Sequence, residues 1–274
     1  DKNAGRDKEV TFQNLALTGT GAKNYTIKKA QGVGTIAPKQ LTLDLVGGTR
    51  FDKTYDGNAN VTQSLAQGTD YTLTGFVTGE GTGITVTGTG TYTDKNAAAD
   101  KTVTFNGLTL TGTGAGNYTL NKTALTGIGT IARRALTLGA VGAQTKTYDG
   151  MTAADTSKFG AVLNNVVAGE ENLVAATAAG AAYNDKNVAA ANTVSYTGVQ
   201  LTGTGAGNYT LAATAAQGTG SITHRDLTLT ADAQSIVQGE ALPSFTGHAE
   251  GFADGEDERV FGTDGIAFGT TLTN

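Results

Sequence analysis

The chain is built from an internal repeat. Asp-Lys-Asn stands at 1–3, 94–96 and 185–187, Asn-Tyr-Thr at 24–26, 117–119 and 208–210, and Lys-Thr-Tyr-Asp-Gly at 53–57 and 146–150. The order never changes, and the Asn-Tyr-Thr copies lie 93 and then 91 residues apart. Leu110–Leu120 and Leu201–Leu211 are identical. A period this long exceeds a solenoid coil and suits whole domains strung in series. The parse is a second half-unit over 1–38, complete units over 39–132 and 133–223, and a different module over 224–274. That module restarts with Leu227-Thr-Leu-Thr-Ala-Asp and runs on to Gln238-Gly-Glu-Ala-Leu-Pro-Ser-Phe245 without a Tyr-Asp-Gly. A segment that opens mid-repeat and stops mid-module is expected to be an excerpt of a longer protein.

Composition sets the fold class. Thr is abundant and favours strands, while 40 Gly among 274 residues oppose helices. Gly without a three-residue period and only 2 Pro exclude collagen. A hydrophobic fraction of 38% against 16% charged residues is enough to bury a core. Alternating apolar and Thr/Gly positions predict strands at Thr72–Phe76, Gly83–Thr87, Thr89–Thr93, Lys101–Phe105, Leu108–Thr111, Tyr118–Leu120 and Leu136–Leu138. Each unit is therefore expected to be an all-β, immunoglobulin-like sandwich of about seven strands. A β-grasp-like module is the alternative, particularly after 224.

One spacing predicts a local distortion. Val10 and Phe12 precede Leu15 and Leu17, Val103 and Phe105 precede Leu108 and Leu110, and Val194 and Tyr196 precede Val199 and Leu201. Steps of two, three and two would turn a regular strand's second half outwards, so a bulge or corner is expected at Asn14, Gly107 and Gly198. Gly112–Asn117 reads as a hairpin connection, with Tyr118 and Leu120 on one face of the returning strand. Tyr55-Asp56-Gly57 and Tyr148-Asp149-Gly150 read as turns whose Tyr plugs the core edge with its hydroxyl paired.

The chemistry-bearing residues are few. Lys+Arg 19 against Asp+Glu 24 gives −5, which lacks the basic footprint that nucleic acid needs. No apolar run is long enough to span a membrane, and no signal pattern stands at the start. The absence of Cys removes thiol chemistry and leans towards export. His224 and His248 sit in unlike contexts, with no zinc spacing, nucleophile elbow or phosphate loop around them. No catalytic residue and no resident cofactor are expected. Asp94, Asn96, Asp100, Asp185 and Asn187 are candidate calcium ligands, although turn-forming Asx residues explain the same letters. Asp254–Glu258 reads as a solvated loop. Lys53, Lys146, Lys95 and Lys186 recur at fixed places. They read as exposed lysines with snorkelling stems rather than as partners in a Lys–Asn amide crosslink, which needs a desolvated amine. The Thr-x-Thr strings read as ordinary outward Thr on strands rather than as an ice-binding array.

Lys-Thr-Tyr-Asp-Gly, Asp-Lys-Asn and Leu-Thr-Gly-Thr-Gly-Ala-Gly-Asn-Tyr-Thr-Leu together resemble the YDG repeats of large filamentous-haemagglutinin-type bacterial surface proteins. Residues Leu227 to Pro243 resemble the start of an MBG module. The motif residues are Tyr55, Asp56, Gly57, Tyr148, Asp149, Gly150, Asn117, Tyr118, Asn208 and Tyr209. The resemblance implies a non-catalytic stalk segment of an adhesin, secreted or on the surface of a Gram-negative bacterium, serving adhesion or biofilm formation. Its first partners would be neighbouring repeats. A carbohydrate-binding module for matrix polysaccharide or host-surface glycans is the alternative, with Tyr71, Tyr92 and Tyr183 as candidate sugar platforms.

Overall fold

A computed structural model of the chain describes residues 1–262 and 265–269; the end of the expected 224–274 module lies outside them. Every helix among the described residues is a 3₁₀ segment of three or four residues, and the remaining regular structure is β. The chain divides into two compact units, 1–134 and 135–274.

In the first unit, β1 (Gly5–Thr11) and β2 (Gln31–Ile36) form a two-stranded sheet of their own. The complete repeat supplies β3 (Lys39–Leu45), β4 (Lys53–Thr54), β5 (Tyr71–Thr74), β6 (Thr85–Tyr92), β7 (Ala98–Thr111), β8 (Tyr118–Leu120) and β9 (Ala124–Ala132). These seven strands make a three-stranded sheet, β5-β3-β8, and a four-stranded sheet, β4-β9-β7-β6. The pairing is mixed: β3 runs parallel to β8 and β4 parallel to β9, while the other neighbours are antiparallel. Leu41, Leu43, Tyr71 and Tyr118 from one sheet and Val86, Val103, Phe105, Leu125 and Ile131 from the other are all buried. The Val86 N–H donates to the Tyr71 hydroxyl at 2.7 Å, tying strands of the two sheets directly. This is the β-sandwich expected from the alternation. The β-grasp alternative needs a helix laid across its sheet, and the described residues contain only the short 3₁₀ turns.

The second unit repeats the plan. Its strands are β10 (Arg134–Leu138), β11 (Gln144–Thr147), β12 (Leu163–Asn164), β13 (Ala175–Thr177), β14 (Gly180–Tyr183), β15 (Thr193–Thr197), β16 (Gln200–Thr202), β17 (Tyr209–Leu211) and β18 (Ala215–Thr223). The sheets β12-β10-β17 and β11-β18-β15-β14 match those of the first repeat, and β13-β16 forms a separate pair. Phe159, Tyr183, Val194, Tyr196, Val199 and Ile222 make the core. The following module contributes β19 (Thr228–Ala231) and β20 (Gly247–Glu250), paired antiparallel.

The odd step in the apolar spacing has its expected result. In the first repeat β7 continues through the step with a bulge, in which Gly107 and Leu108 oppose Gly88. In the second repeat the chain breaks there instead, and β15 and β16 enter different sheets. Gly107, Gly198 and Asn14 all have positive φ, at 62°, 61° and 57°. Leu108 and Val199 are thereby returned to the core. The Gly112–Asn117 segment corrects an expectation: it is a crossover, not a hairpin, because β8 leaves β7 and pairs parallel with β3 in the opposite sheet. That crossing lets Tyr118 close the core from the other side.

The two cores solve one packing problem differently. Phe51 and Phe105 meet edge-on at 4.6 Å in the first repeat. The matching positions in the second are Gln144 and Tyr196, and the Gln144 amide donates to the Tyr196 hydroxyl at 2.9 Å. Phe105→Tyr alone would bury a hydroxyl with no partner, costing about 1–3 kcal/mol. Adding Phe51→Gln is expected to recover part of that loss, read as a favourable coupling in a double-mutant cycle of urea unfolding.

Candidate functional site

The Lys-Thr-Tyr-Asp-Gly loop is held by its own lysine. Lys53 begins β4, Tyr55 turns into the core at 1% exposure, and its N–H donates to the Ala132 carbonyl at 2.8 Å. Gly57 and Gly150 take positive φ, 83° and 77°, to close the turn. The Lys53 ammonium donates to Asp56 Oδ1 at 2.7 Å and to the Asn58 carbonyl at 2.8 Å. Lys146 donates likewise to Asp149 Oδ1 at 2.7 Å and to the carbonyls of Met151 and Ala153 at 2.8 and 3.0 Å. Each ammonium also lies over a ring, Tyr92 at 5.5 Å and Tyr183 at 5.3 Å.

These lysines are therefore enclosed, with the Lys53 side chain only 5% exposed, and the exposed reading fails for this pair. Loop carbonyls, a carboxylate and an aromatic face replace the water that an ammonium loses on burial. Lys53 also reaches Asn58 Oδ1 at 3.2 Å, but Met151 occupies that position in the second repeat, so the arrangement common to both is the ionic clamp.

The clamp sets a pH dependence. Burial pushes the Asp56 carboxyl up, but the Lys53 and Asn58 hydrogen bonds outweigh it and hold it below its ordinary value. The Lys146 bond holds Asp149 down, and the Lys101 bond holds Asp94 down. A carboxyl depressed on folding stabilises fully above the unfolded value, near 3.9, and that contribution disappears as pH falls through the folded value. Melting temperature is expected to be flat above about pH 5 and to fall below about pH 4, with a shallower acid decline in Asp56→Asn/Asp149→Asn. Calorimetric melts across a pH series read this directly.

A second tie joins the Asn-Tyr motif to a glutamate that the sequence reading missed. The Tyr118 hydroxyl donates to Glu80 Oε2 at 2.6 Å and accepts from the Val77 N–H at 3.3 Å. Tyr209 repeats both bonds with Glu170 Oε2 at 2.8 Å and Val167 N at 3.2 Å. Val77-Thr-Gly-Glu80 and Val167-Ala-Gly-Glu170 share a pattern that self-comparison could have exposed. Asn117 faces the preceding half-repeat: its Oδ1 accepts from the Ala4 N–H at 2.8 Å, and its amide donates to Asn3 Oδ1 at 3.1 Å. Asn208 is buried at the matching place.

The Asp-Lys-Asn turns meet a glutamate of the next module in both cases visible within a unit. Lys2 pairs with Glu80, and Lys186 lies 3.8 Å from Glu256. Glu256 also accepts from the Tyr148 hydroxyl at 2.7 Å, so the acidic Asp254–Glu258 loop forms a contact as well as facing solvent.

The calcium candidates are engaged by protein groups. Asp94 Oδ1 accepts from Lys101 Nζ and Asn96 N, each at 2.7 Å, and Asp100 pairs with Arg50 at 2.8 Å. Asp185 Oδ1 accepts from the Asn187 N–H at 2.7 Å. Among the described residues no three His, Asp or Glu converge. Tyr71, Tyr92 and Tyr183 are all buried, which removes them as sugar platforms. Alternation showed that they lie on strands but not which face is inward. A hollow in the second unit is lined by Tyr148, His224, Leu227, Phe252 and Phe261, and its glutamate, Glu256, is the one tied to Tyr148. No helix among the described residues is long and apolar enough to cross a membrane.

Repeated β-sandwiches whose shared polar residues tie their own loops define a class of tandem all-β repeat proteins. Residues 37–125 and 132–216 each match the YDG domain, together more than half of the chain, and the chain belongs to that family. Residues 227–274 match the MBG domain (YGX type). No curated protein and no solved structure matches the chain.

Proposed function

We propose that the chain is a non-catalytic spacer of an exported bacterial adhesin, placing an adhesive region away from the cell in adhesion or biofilm formation. The observation that carries this reading is the use made of the repeated polar residues. Lys53, Asp56, Glu80 and Tyr118, with their counterparts Lys146, Asp149, Glu170 and Tyr209, bond to one another and to loop backbone. A catalytic site would leave such groups free to engage a substrate, whereas here they are spent on the loops. Export accords with the absence of Cys, which leaves stability to the cores and the ionic clamps.

Two measurements test the reading together. The purified chain is expected to leave a glycan array blank. Cells displaying a version without residues 133–223 should keep their adhesive partner while the reach of attachment shortens. Saturable glycan binding by the purified chain would replace the spacer with the carbohydrate-binding alternative.

A further inference from the structure

The module after the second repeat opens with the hairpin of a YDG repeat. β3 and β5 pair Thr42 with Thr74, Leu43 with Leu73, Asp44 with Thr72 and Leu45 with Tyr71. β19 and β20 pair Thr228 with Glu250, Leu229 with Ala249, Thr230 with His248 and Ala231 with Gly247. Counted from Leu41-Thr-Leu and from Leu227-Thr-Leu, the register is the same. Each second strand then runs into the same turn, Gly75-Phe-Val-Thr-Gly-Glu80 or Gly251-Phe-Ala-Asp-Gly-Glu256. Gly75 and Gly251 have φ of 100° and 101°, and Gly79 and Gly255 have 81° and 80°. The Glu80 N–H donates to the Val77 carbonyl at 2.9 Å, and the Glu256 N–H to the Ala253 carbonyl at 3.0 Å. Two different domain families thus present one glutamate on one backbone geometry.

The preceding segment meets that glutamate in both units. Lys2 of the first Asp-Lys-Asn pairs with Glu80, and Lys186 of the third lies 3.8 Å from Glu256. The two glutamate side chains are 23% and 20% exposed, so both carboxylates have lost much of their water and need donors in its place. Ala4, Lys39 and Val77 line a hollow beside Glu80, and Val188, Arg225 and Ala253, at the matching positions, line one beside Glu256. In the second unit the Tyr-Asp-Gly turn takes part as well. The Tyr148 hydroxyl donates to Glu256 Oε1 at 2.7 Å. A Cβ at Gly150 would stand 3.3 Å from the same oxygen and 3.7 Å from the Ala253 Cβ, so the glycine lets the incoming turn lie close to the backbone. Tyr148 and Gly150 therefore face the next module, while Asp149 between them clamps Lys146.

We propose that the Tyr-Asp-Gly and Asp-Lys-Asn turns of a YDG repeat form a socket for one carboxylate, filled by the Gly-Glu turn of whichever module follows. The fitting partner is defined by its first hairpin: Leu-Thr-Leu on one strand, a Gly where the returning strand ends, and a glutamate five residues after that Gly. A module of the MBG type meets this description as fully as a YDG repeat does, and so takes the same place in the chain. A tyrosine hydroxyl and a lysine ammonium supply the hydrogen bond and the charge that the glutamate needs once it leaves water. Because the joint is confined to short turns, the rest of the following module is free to differ, as residues 232–246 differ in length from residues 46–70 between the matching strands.

Hydrogen–deuterium exchange in the full chain tests the joint from both sides. Tyr148→Phe removes one hydroxyl and keeps the ring, and the Glu256 amide, bonded within its own turn, is expected to exchange at least ~10-fold faster, the weight of one charge-assisted hydrogen bond. Gly255→Ala works from the other side. Nothing lies within 4 Å of a Cβ there, so the change acts through the φ of the turn and should quicken the Tyr148 and Met151 amides of the preceding repeat. Gly239→Ala, at φ 92° with an equally open Cβ, is the control and should leave all three amides unchanged. Effects of Tyr148→Phe and Gly255→Ala that stay within the altered module overturn the proposal. So does faster exchange of the same amides in Gly239→Ala, which would make the coupling a general loosening of the module and not the work of the glutamate.

Discussion

Phe105→Ala is expected to destabilise the first complete repeat by about 3–5 kcal/mol, the cost of removing a fully buried aromatic side chain. Phe105 lies on β7 at the centre of the four-stranded sheet, edge-on to Phe51 and opposite Gly90 of β6. A Cβ at Gly90 would stand 2.6 Å from the Phe105 ring, so backbone and ring are already in close contact. The void left by Ala therefore has rigid β-sheet on one side and cannot collapse fully. With no Trp in the chain, tyrosine near-ultraviolet dichroism reports the loss, because Tyr71, Tyr92 and Tyr118 surround the same core. Urea unfolding should show the transition of this repeat moved to lower denaturant. A shift of only a few tenths of a kcal/mol would mean that this core contributes little, contrary to the full burial of Phe105.

Gly129→Ala is the second large effect, and it acts by addition of atoms. A Cβ at this position on β9 would lie 1.8 Å from the Phe51 carbonyl oxygen and 3.1 Å from the Tyr92 ring. The Phe51 carbonyl is not free to retreat, since it accepts from the Tyr92 hydroxyl and the Phe51 N–H donates to Ile128 at 3.0 Å. One methyl group must therefore separate the loop carrying Phe51 from β9, breaking both bonds. Overpacking usually costs about 1–3 kcal/mol, and displacement of hydrogen-bonded backbone places this case at or above the upper end. Thermal melts should show it, with Gly116→Ala as a control because nothing lies within 4 Å of a Cβ there.

Much of the architecture was readable because repetition and alternation are properties of the chain itself. The odd spacing of Val103, Phe105 and Leu108 predicted the irregularity at Gly107 without any knowledge of its partner strand. What escaped reading depended on contacts distant in sequence. The Gly112–Asn117 segment has the residues of a tight hairpin, yet β8 pairs with β3, 79 residues earlier, which places Tyr118 on the opposite wall of the core. The enclosure of Lys53 depends on the Tyr92 ring and loop carbonyls, none of which its neighbours reveal. Tyr71, Tyr92 and Tyr183 are candidate sugar platforms in the sequence but buried in the fold, because alternation marks two faces without naming the inner one. Glu80 and Glu170 stood in a short repeated pattern, but their value appears only when the Tyr118 and Tyr209 hydroxyls arrive from the crossover.

The ionic clamps bind the polar residues that the two complete repeats share into the repeats' own loops. Lys53 and Lys146 tie the first loop of a repeat to its own turn, and Tyr118 and Tyr209 tie the crossover to the Val-x-Gly-Glu loop. Such ties cross-link the loops without thiols, in a chain that has no Cys.

Pulling the intact chain by its two ends tests the central claim, that each complete repeat encloses a core of its own. Two separate force peaks are expected for the complete repeats, each releasing roughly 300 Å, the extended length of one repeat. A single release of twice that length, or a smooth extension without peaks, would contradict it.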